Sequence, residues 1–441
     1  MSGAPRLVLG VDVGTSGVRA VAATADTLSV RAEAAVPMAA PLREGPRVQQ
    51  DPRVWAAAFD DCLAALRPQV DFARVAAIAI DATSGTVLVT DAAGLPLAPA
   101  LLYNDAHAHE AGARLDAVAP ADGAARGAAN GLARALQLLE DTRSAPVAHV
   151  LHQADWLAGR LLGRHGVSDE NNALKTGYDP QARQWPAWLD KLQPAGLPPL
   201  RSALLPRVQA PGSVFGPVAA AVAAHWGWPA DAVVVAGSTD GVAAFLATGA
   251  AQEGDGVTSL GSTLVVKQLS RTPIVSARDG IYSHRLGELW LPGGASNAGG
   301  AALLQHFSAA RMAELEPRLR PDTPTGLDYY PLPAPGERFP VHDPAMAPRL
   351  SPRPGDDARF LQGLLEGLAG VEALAYERLR ALGGPALRSL RSVGGGAANA
   401  AFTRIRQRRL GVPFLPSAHT QAAAGAARLA ADGWARQVAQ G

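Results

Sequence analysis

The run Asp12-Val13-Gly14-Thr15-Ser16-Gly17, followed by Arg19, has the residue types of a phosphate and metal site. Gly14 and Gly17 let backbone N–H groups come close to a phosphate, and the Thr15 and Ser16 hydroxyls add donors. Asp12, at the end of a short apolar stretch, could hold Mg2+ directly or through water. An ordinary hairpin with an Asx-type turn has the same composition. Gly261-Ser262-Thr263 forms a second tip of this kind, and by itself it is a common turn. The pair, half a chain apart, is more informative than either tip alone.

Two further stretches bear on chemistry. Gly394-Gly395-Gly396-Ala397-Ala398-Asn399 follows Leu390–Val393, which reads as a strand end. Its glycines would let backbone lie flat against an adenine ring or ribose, or make a plain turn with Asn399 capping the next helix. A G-x-G-x-x-G dinucleotide loop is excluded because Asn399 stands where the last glycine belongs, and no Walker A lysine follows a glycine. Asp240, in Gly237-Ser238-Thr239-Asp240-Gly241, sits where a helix should begin after a buried strand. It could accept the proton of an attacking hydroxyl, or simply complement the helix dipole.

These residues need strands and turns to place them. Residues 6–13, 75–91 and 256–268 share one grammar: an apolar run, a Gly/Ser/Thr tip, a second apolar run. The reading is three β-hairpins, the first and third half a chain apart, as in a duplicated domain. Helical periodicity marks 53–67, 147–163 and 360–382, the last ended by Gly383-Gly384. The proline-rich stretch 319–355 reads as an ordered surface excursion. Strands alternating with helices give an α/β class.

Composition sets the outer limits. Of 441 residues, 48% are hydrophobic and 18% charged, enough for a large core and unlike a disordered chain. The 40 basic and 39 acidic residues leave a net charge of +1, so no strong field draws in nucleic acid or a membrane surface. Cys62 is the only cysteine, which excludes an intrachain disulfide, and its neighbours Phe59, Leu63 and Leu66 read as a buried helical face. No stretch is long and apolar enough to span a bilayer. The cytoplasm is the expected compartment.

In order and spacing, these motifs resemble the FGGY family of carbohydrate kinases nearly end to end. D-V-G-T-S-G-V-R is similar to the family's first phosphate motif, G-S-T-D-G-V-A-A to its catalytic-base segment, S-L-G-S-T to its second phosphate motif and G-G-G-A-A-N to its adenosine motif. T-S-G-T-V-L-V, L-L-Y-N-D-A and N-A-L-K-T-G-Y-D resemble its sugar-domain segments. T-G-L-D-Y-Y-P-L-P at 325–333 resembles a short-chain group of cyanobacteria and plastids with D-ribulose kinase activity. Two departures fall on the sugar side: Arg134 without the usual tryptophan on its helix, and Asn104-Asp105 followed by Ala106-His107 instead of arginine.

The resemblance implies two ribonuclease-H-like α/β domains of the actin and hexokinase type flanking a catalytic cleft. They would cover 6–247 and 248–420, with a C-terminal helix at 421–437 completing the first. It implies ATP and Mg2+ as cofactors and D-ribulose as sugar, with D-xylulose as the alternative. An actin-superfamily ATPase without kinase activity is the reading outside the class. Asp240 would be the general base and Asp12 the Mg2+ anchor, and both would touch the sugar together with Ser84. Gly14, Thr15, Ser16, Gly261, Ser262 and Thr263 would hold phosphates, and Gly395, Gly396 and Asn399 the adenosine.

Overall fold

The computed structural model describes residues 5–440 except 122, 124, 193 and 195. The chain forms two compact units. The first comprises Met1–Ala247, His284–Gly287 and Gln421–Gly441, and the second Thr248–Ser283 with Glu288–Thr420. Among the described residues no helix is long and apolar enough to cross a membrane.

The first unit is built on a six-stranded sheet. Leu7–Val13 and Gly17–Thr24 form an antiparallel hairpin, and Val30–Pro37 extends it on one side. On the other side Val75–Ala82 and then Val233–Thr239 run parallel to Leu7–Val13. Leu7–Val13, Val75–Ala82 and Val233–Thr239 are buried along their whole length, as expected for strands covered on both faces. One face is covered by the helix Pro52–Leu66, which sinks Trp55, Phe59, Leu63 and Leu66 into the core at about 1.5–3 kcal/mol per large side chain. Cys62 is buried there too, and burial pushes its thiol up to about 11, which keeps it inert.

The other face is closed from the far end of the chain. The helix Ala422–Gln440 lies over Val8, Val21, Ala77, Ala79, Val233 and Val235. It packs backbone to backbone: a Cβ on Gly10 would stand 2.0 Å from the Ala423 carbonyl oxygen, and one on Gly425 1.9 Å from that of Ala243. No side chain fits either place.

The run 75–91 is not a hairpin. Val75–Ala82 already has a parallel partner on each edge, so Val87–Thr90 leaves for a separate five-stranded sheet. There it pairs with Ala100–Leu101 and His149–His152. The helix read over 147–163 therefore begins only at Gln153, after a strand.

The second unit repeats the plan. Asp255–Leu260 and Leu264–Gln268 form an antiparallel hairpin, Leu289–Ser296 continues it, and Ser389–Val393 lies parallel to Asp255–Leu260. The 25-residue helix Asp357–Ala381 packs through Phe360, Leu361, Leu364, Leu368 and Leu379. The proline-rich excursion is pinned by the buried Glu337 carboxylate, which accepts from the Ser296 hydroxyl, the Tyr330 hydroxyl and the Asn297 N–H.

Candidate active site

Register places the acids. In the first unit Asp12 stands opposite Asp81 across one strand pair, and Asp81 opposite Ser238 across the next. Asp240 follows two residues after Ser238, as the first residue of the helix Asp240–Ala247. Three carboxyl groups thus collect at the C-terminal edge of the parallel strands, where open α/β sheets bind ligands. Asp240 is partly exposed, and its Oδ1 accepts the Gly241 N–H at 2.7 Å. Asp12 is 8% exposed, with Arg19 at 3.6 Å. Burial raises the Asp12 pKa, while the neighbouring Asp81 carboxyl and the Arg19 charge pull the other way.

Asp81 was not among the residues singled out from sequence. It is fully buried, and neither of its oxygens meets an N–H or hydroxyl donor among the described residues. Burial first, then the charges of Asp12 and Asp240, hold its pKa well above the usual carboxylate range. Burial thus favours the neutral form of this carboxyl group. The signal available was its place at the end of I-A-I-D, matching V-D-V before the first glycine tip.

The tip residues of the first hairpin follow directly. Gly14 N–H donates to the Gly17 carbonyl at 3.0 Å, and the Ser16 carbonyl accepts from Met38 N–H, so Thr15 and Ser16 cross the turn. Ser84 lies just past Asp81 in a loop held from all sides. Thr83 Oγ1 donates to Gln153 at 2.7 Å and contacts Thr86 Oγ1 at 2.6 Å. Gly85, at φ +83°, gives its carbonyl to the buried Arg134 guanidinium. A side chain on Gly85 would meet that guanidinium at 3.0 Å. Arg134 also donates to the Asp105 carbonyl, so one departure from the family pattern has a structural job. Within this loop the Ser84 hydroxyl is buried without a hydrogen-bond partner, the condition of a group awaiting a polar ligand. His107, the second departure, puts Nδ1 on the Asp105 carboxylate at 2.9 Å.

Behind the acids lies a buried polar segment. The Asn171 amide donates to Ser238 Oγ at 3.0 Å and exchanges hydrogen bonds with the Arg285 main chain. Asp169 caps this turn, accepting from Asn171 N–H at 2.8 Å and from Asn172 N–H and Nδ2–H. Burial, then the Asp155 charge, push the Asp169 pKa up to about 7, against those hydrogen bonds. The native chain thus holds this proton more tightly than the unfolded chain, whose value is near 4. Its contribution to stability is full below about pH 4 and declines as pH rises through about 7. Asp169→Asn should flatten the fall in melting temperature between about pH 4 and pH 7. Equal slopes in thermal melts of the two proteins would contradict this.

In the second unit, Gly261, Ser262, Thr263, Gly395, Gly396 and Asn399 all line one cavity of about 580 Å3. Its remaining wall is mostly apolar, including Leu303, Met312, Leu361, Leu365 and Phe402. Gly394, at φ +87°, passes so close to the Leu260 backbone that a Cβ would stand 2.7 Å from its carbonyl oxygen. That approach brings the two glycine segments together. Asn399 lines the cavity and caps the helix Ala400–Leu410 by accepting Phe402 N–H at 2.6 Å. Glu316, not singled out from sequence, also lines the cavity.

Two α/β units of one topology, one with carboxylates at its strand ends and the other with a glycine-rimmed apolar cavity, define a class of phosphoryl-transfer fold. The chain belongs to the FGGY family of carbohydrate kinases: residues 7–247 match the family's N-terminal domain and residues 256–434 its C-terminal domain. Similar relatives include a xylulose kinase from Streptomyces rubiginosus, 31% identical over 228 residues, 48% of this chain and 44% of that one. A xylulose kinase from Streptomyces coelicolor is 30% identical over 270 residues, 58% of this chain and 53% of that one. The matched segments thus span about half the length of these relatives. The solved structure of a xylulose kinase from Rhodospirillum rubrum superimposes with a TM-score of 0.82 at 26% identity, covering 97% of this chain and 91% of that one.

Proposed function

We propose that the chain is an ATP-dependent kinase of a small sugar, with a ketopentose as acceptor. The observation that carries this reading is the cavity rimmed at once by Gly261–Thr263 and by Gly395, Gly396 and Asn399, sized and lined for a nucleotide. The carboxylates and the unpartnered Ser84 hydroxyl of the first unit supply the acceptor half. Ser84 and Asp12 hold sugar hydroxyls, and Asp240 receives the proton of the attacking hydroxyl. The new bond joins that oxygen to the γ-phosphorus. The bond from the γ-phosphorus to the bridging oxygen breaks, and ADP leaves. Backbone N–H groups at Gly14–Ser16 and Gly261–Thr263 hold the phosphates.

Among the described residues no group of three His, Cys, Asp or Glu is placed to hold a metal ion. An ion carried by ATP needs only one or two protein carboxylates, the rest of its shell coming from phosphate and water, and Asp12 fits that part. When bound, magnesium would draw charge from the transferring phosphoryl group. Asp12→Ala should accordingly reduce Mg2+-supported turnover more than it weakens metal-free nucleotide binding. Wild-type activity at high Mg2+ would remove the metal role.

D-ribulose is the first candidate sugar, through the resemblance of 83–89, 101–104 and 325–333 to the short-chain cyanobacterial and plastid group. D-xylulose is the second reading, favoured by the names of the two Streptomyces relatives. An ADP-coupled assay across D-ribulose, D-xylulose, glycerol and aldoses tests both. The expected order places both ketopentoses above glycerol, since a site built for several hydroxyls is left with unpaired groups by a smaller polyol. A preference for D-xylulose would overturn the subgroup and keep the kinase. ADP release independent of any sugar would instead mark an actin-type ATPase.

A further inference from the structure

The Arg134 guanidinium, 2% exposed, is spent on three main-chain carbonyls of the first unit. Its Nε and Nη2 donate to the Gly85 oxygen at 3.2 and 2.8 Å, and Nη1 donates to the Asp105 oxygen at 3.0 Å and the Ala129 oxygen at 2.9 Å. Burial pulls the group down to about 10, against the Asp105 charge, so it stays a cation at neutral pH and these bonds are charge-assisted. Both ends of this bridge are stiff. The Asp105 carboxylate accepts Val48 N–H at 2.7 Å and holds the His107 ring at 2.9 Å. The helix Gly131–Asp141, which carries Arg134, is seated so tightly that a Cβ on Gly131 would stand 2.6 Å from the Lys175 carbonyl oxygen. A second strap, Tyr103 N–H on Thr86 Oγ1 at 3.1 Å, joins the same two loops. Between Thr83 and Gly85, both fastened, the Ser84 hydroxyl is buried with no hydrogen-bond partner among the described residues.

We propose that Arg134 is a positioning residue for the acceptor: by gripping the Gly85 carbonyl it fixes the Ser84 hydroxyl for one hydroxyl of the sugar. The inference rests on reading Ser84 as a sugar ligand. Gly85, at φ +83°, has no side chain to brace the loop, so its carbonyl needs an outside grip. A planar fork holds the Gly85 and Asp105 carbonyls together, which the single nitrogen of a lysine does not do. A hydroxyl held this way is ordered on folding rather than on binding, and its bond to the sugar is then realised in full. One such bond corresponds to about tenfold in acceptor affinity.

A double-mutant cycle of Arg134→Lys and Ser84→Ala in the full chain tests it. KM and kcat are measured for D-ribulose and D-xylulose at saturating ATP, with ADP affinity by calorimetry. Each single variant should raise the acceptor KM about tenfold and leave ADP affinity as in wild type. The double variant should lie within about twofold of Ser84→Ala alone, because Arg134 acts through Ser84. If the two effects multiply instead, Arg134 only secures the fold and the proposal fails. It also fails if Arg134→Lys leaves KM unchanged. A wild-type KM in Ser84→Ala removes Ser84 as a sugar ligand and the proposal with it, while turnover of neither ketopentose by the wild type overturns the acceptor reading itself. Should Arg134→Lys not fold, Gly85→Ala takes its place in the cycle. Its Cβ would stand 3.0 Å from Arg134 Nη2 and displace the same contact, so the same non-additivity is expected and multiplying effects again overturn the proposal.

Discussion

Asp240→Asn should cut kcat by about 10²–10⁴-fold while leaving the fold and nucleotide binding close to wild type. The change is isosteric, and an amide oxygen can still accept the Gly241 N–H that now sits 2.7 Å from Oδ1. What the amide cannot do is take the proton of an attacking hydroxyl. Because that proton moves only as the phosphoryl group transfers, the loss should fall on kcat rather than on KM. Turnover at saturating sugar and ATP, beside ADP affinity measured by calorimetry, separates the two effects. Near wild-type turnover would exclude Asp240 as the base. A large loss of ADP affinity would mean that the substitution had done more than remove a proton acceptor.

The largest expected stability effect lies far from that carboxylate, in the second unit. Glu372 and Arg406 are both fully buried and paired through two hydrogen bonds of 2.6 and 2.7 Å. Arg406 also donates to Ser392 Oγ, and its guanidinium lies 5.5 Å from the Phe402 ring centroid and 5.1 Å from that of Phe414. Glu372→Leu strands a guanidinium in this apolar setting and should cost about 3–5 kcal/mol. Pairing it with Arg406→Met should restore much of the loss, since replacing both ions by apolar groups of similar size is often near neutral. Urea unfolding followed by hydrogen exchange in the helix Asp357–Ala381 measures both variants. A single-variant cost under about 1 kcal/mol would mean that water reaches the pair and that burial is not what makes it strong.

Much of the fold is legible locally. The tips at 14–17 and 261–263 do join antiparallel strands, and the long helix at 360–382 is within three residues of its observed span at either end. Where local reading failed, the missing information was the partner. The run 75–91 has the grammar of a hairpin, but both edges of its first strand are taken by strands from residues 7–13 and 233–239, so its second strand is expelled. The same non-local register sets Asp81 between Asp12 and Ser238. As a lone aspartate at the end of an apolar run it had no visible neighbour, and only the sheet supplies the burial, and then the Asp12 charge, that make it unusual. His149–His152 was absorbed into a helical pattern because Val150 and Leu151 suit either period, and pairing with Val87–Thr90 decides for strand. The residues proposed for the nucleotide were easier to read. Gly261–Thr263 and Gly394–Asn399 are set by backbone demands that glycine reveals in sequence. Glu316 escaped notice because a glutamate before a proline has no such mark.

The helix Ala422–Gln440 gives the chain a particular order of birth. The strands that carry Asp12, Asp81 and Ser238 leave the ribosome early, yet Val8, Val21, Ala77, Ala79, Val233 and Val235 lack their cover until residues beyond 421 have been made. At about 5–20 residues per second, the stretch between Ala247 and Ala422 takes roughly ten to thirty seconds. For that interval the sheet presents a greasy, nearly complete face to whatever is nearby. A nascent chain in this condition is a natural client for a holdase. Truncation before Ala422 would then bare the sheet that carries Asp12, Asp81 and Ser238.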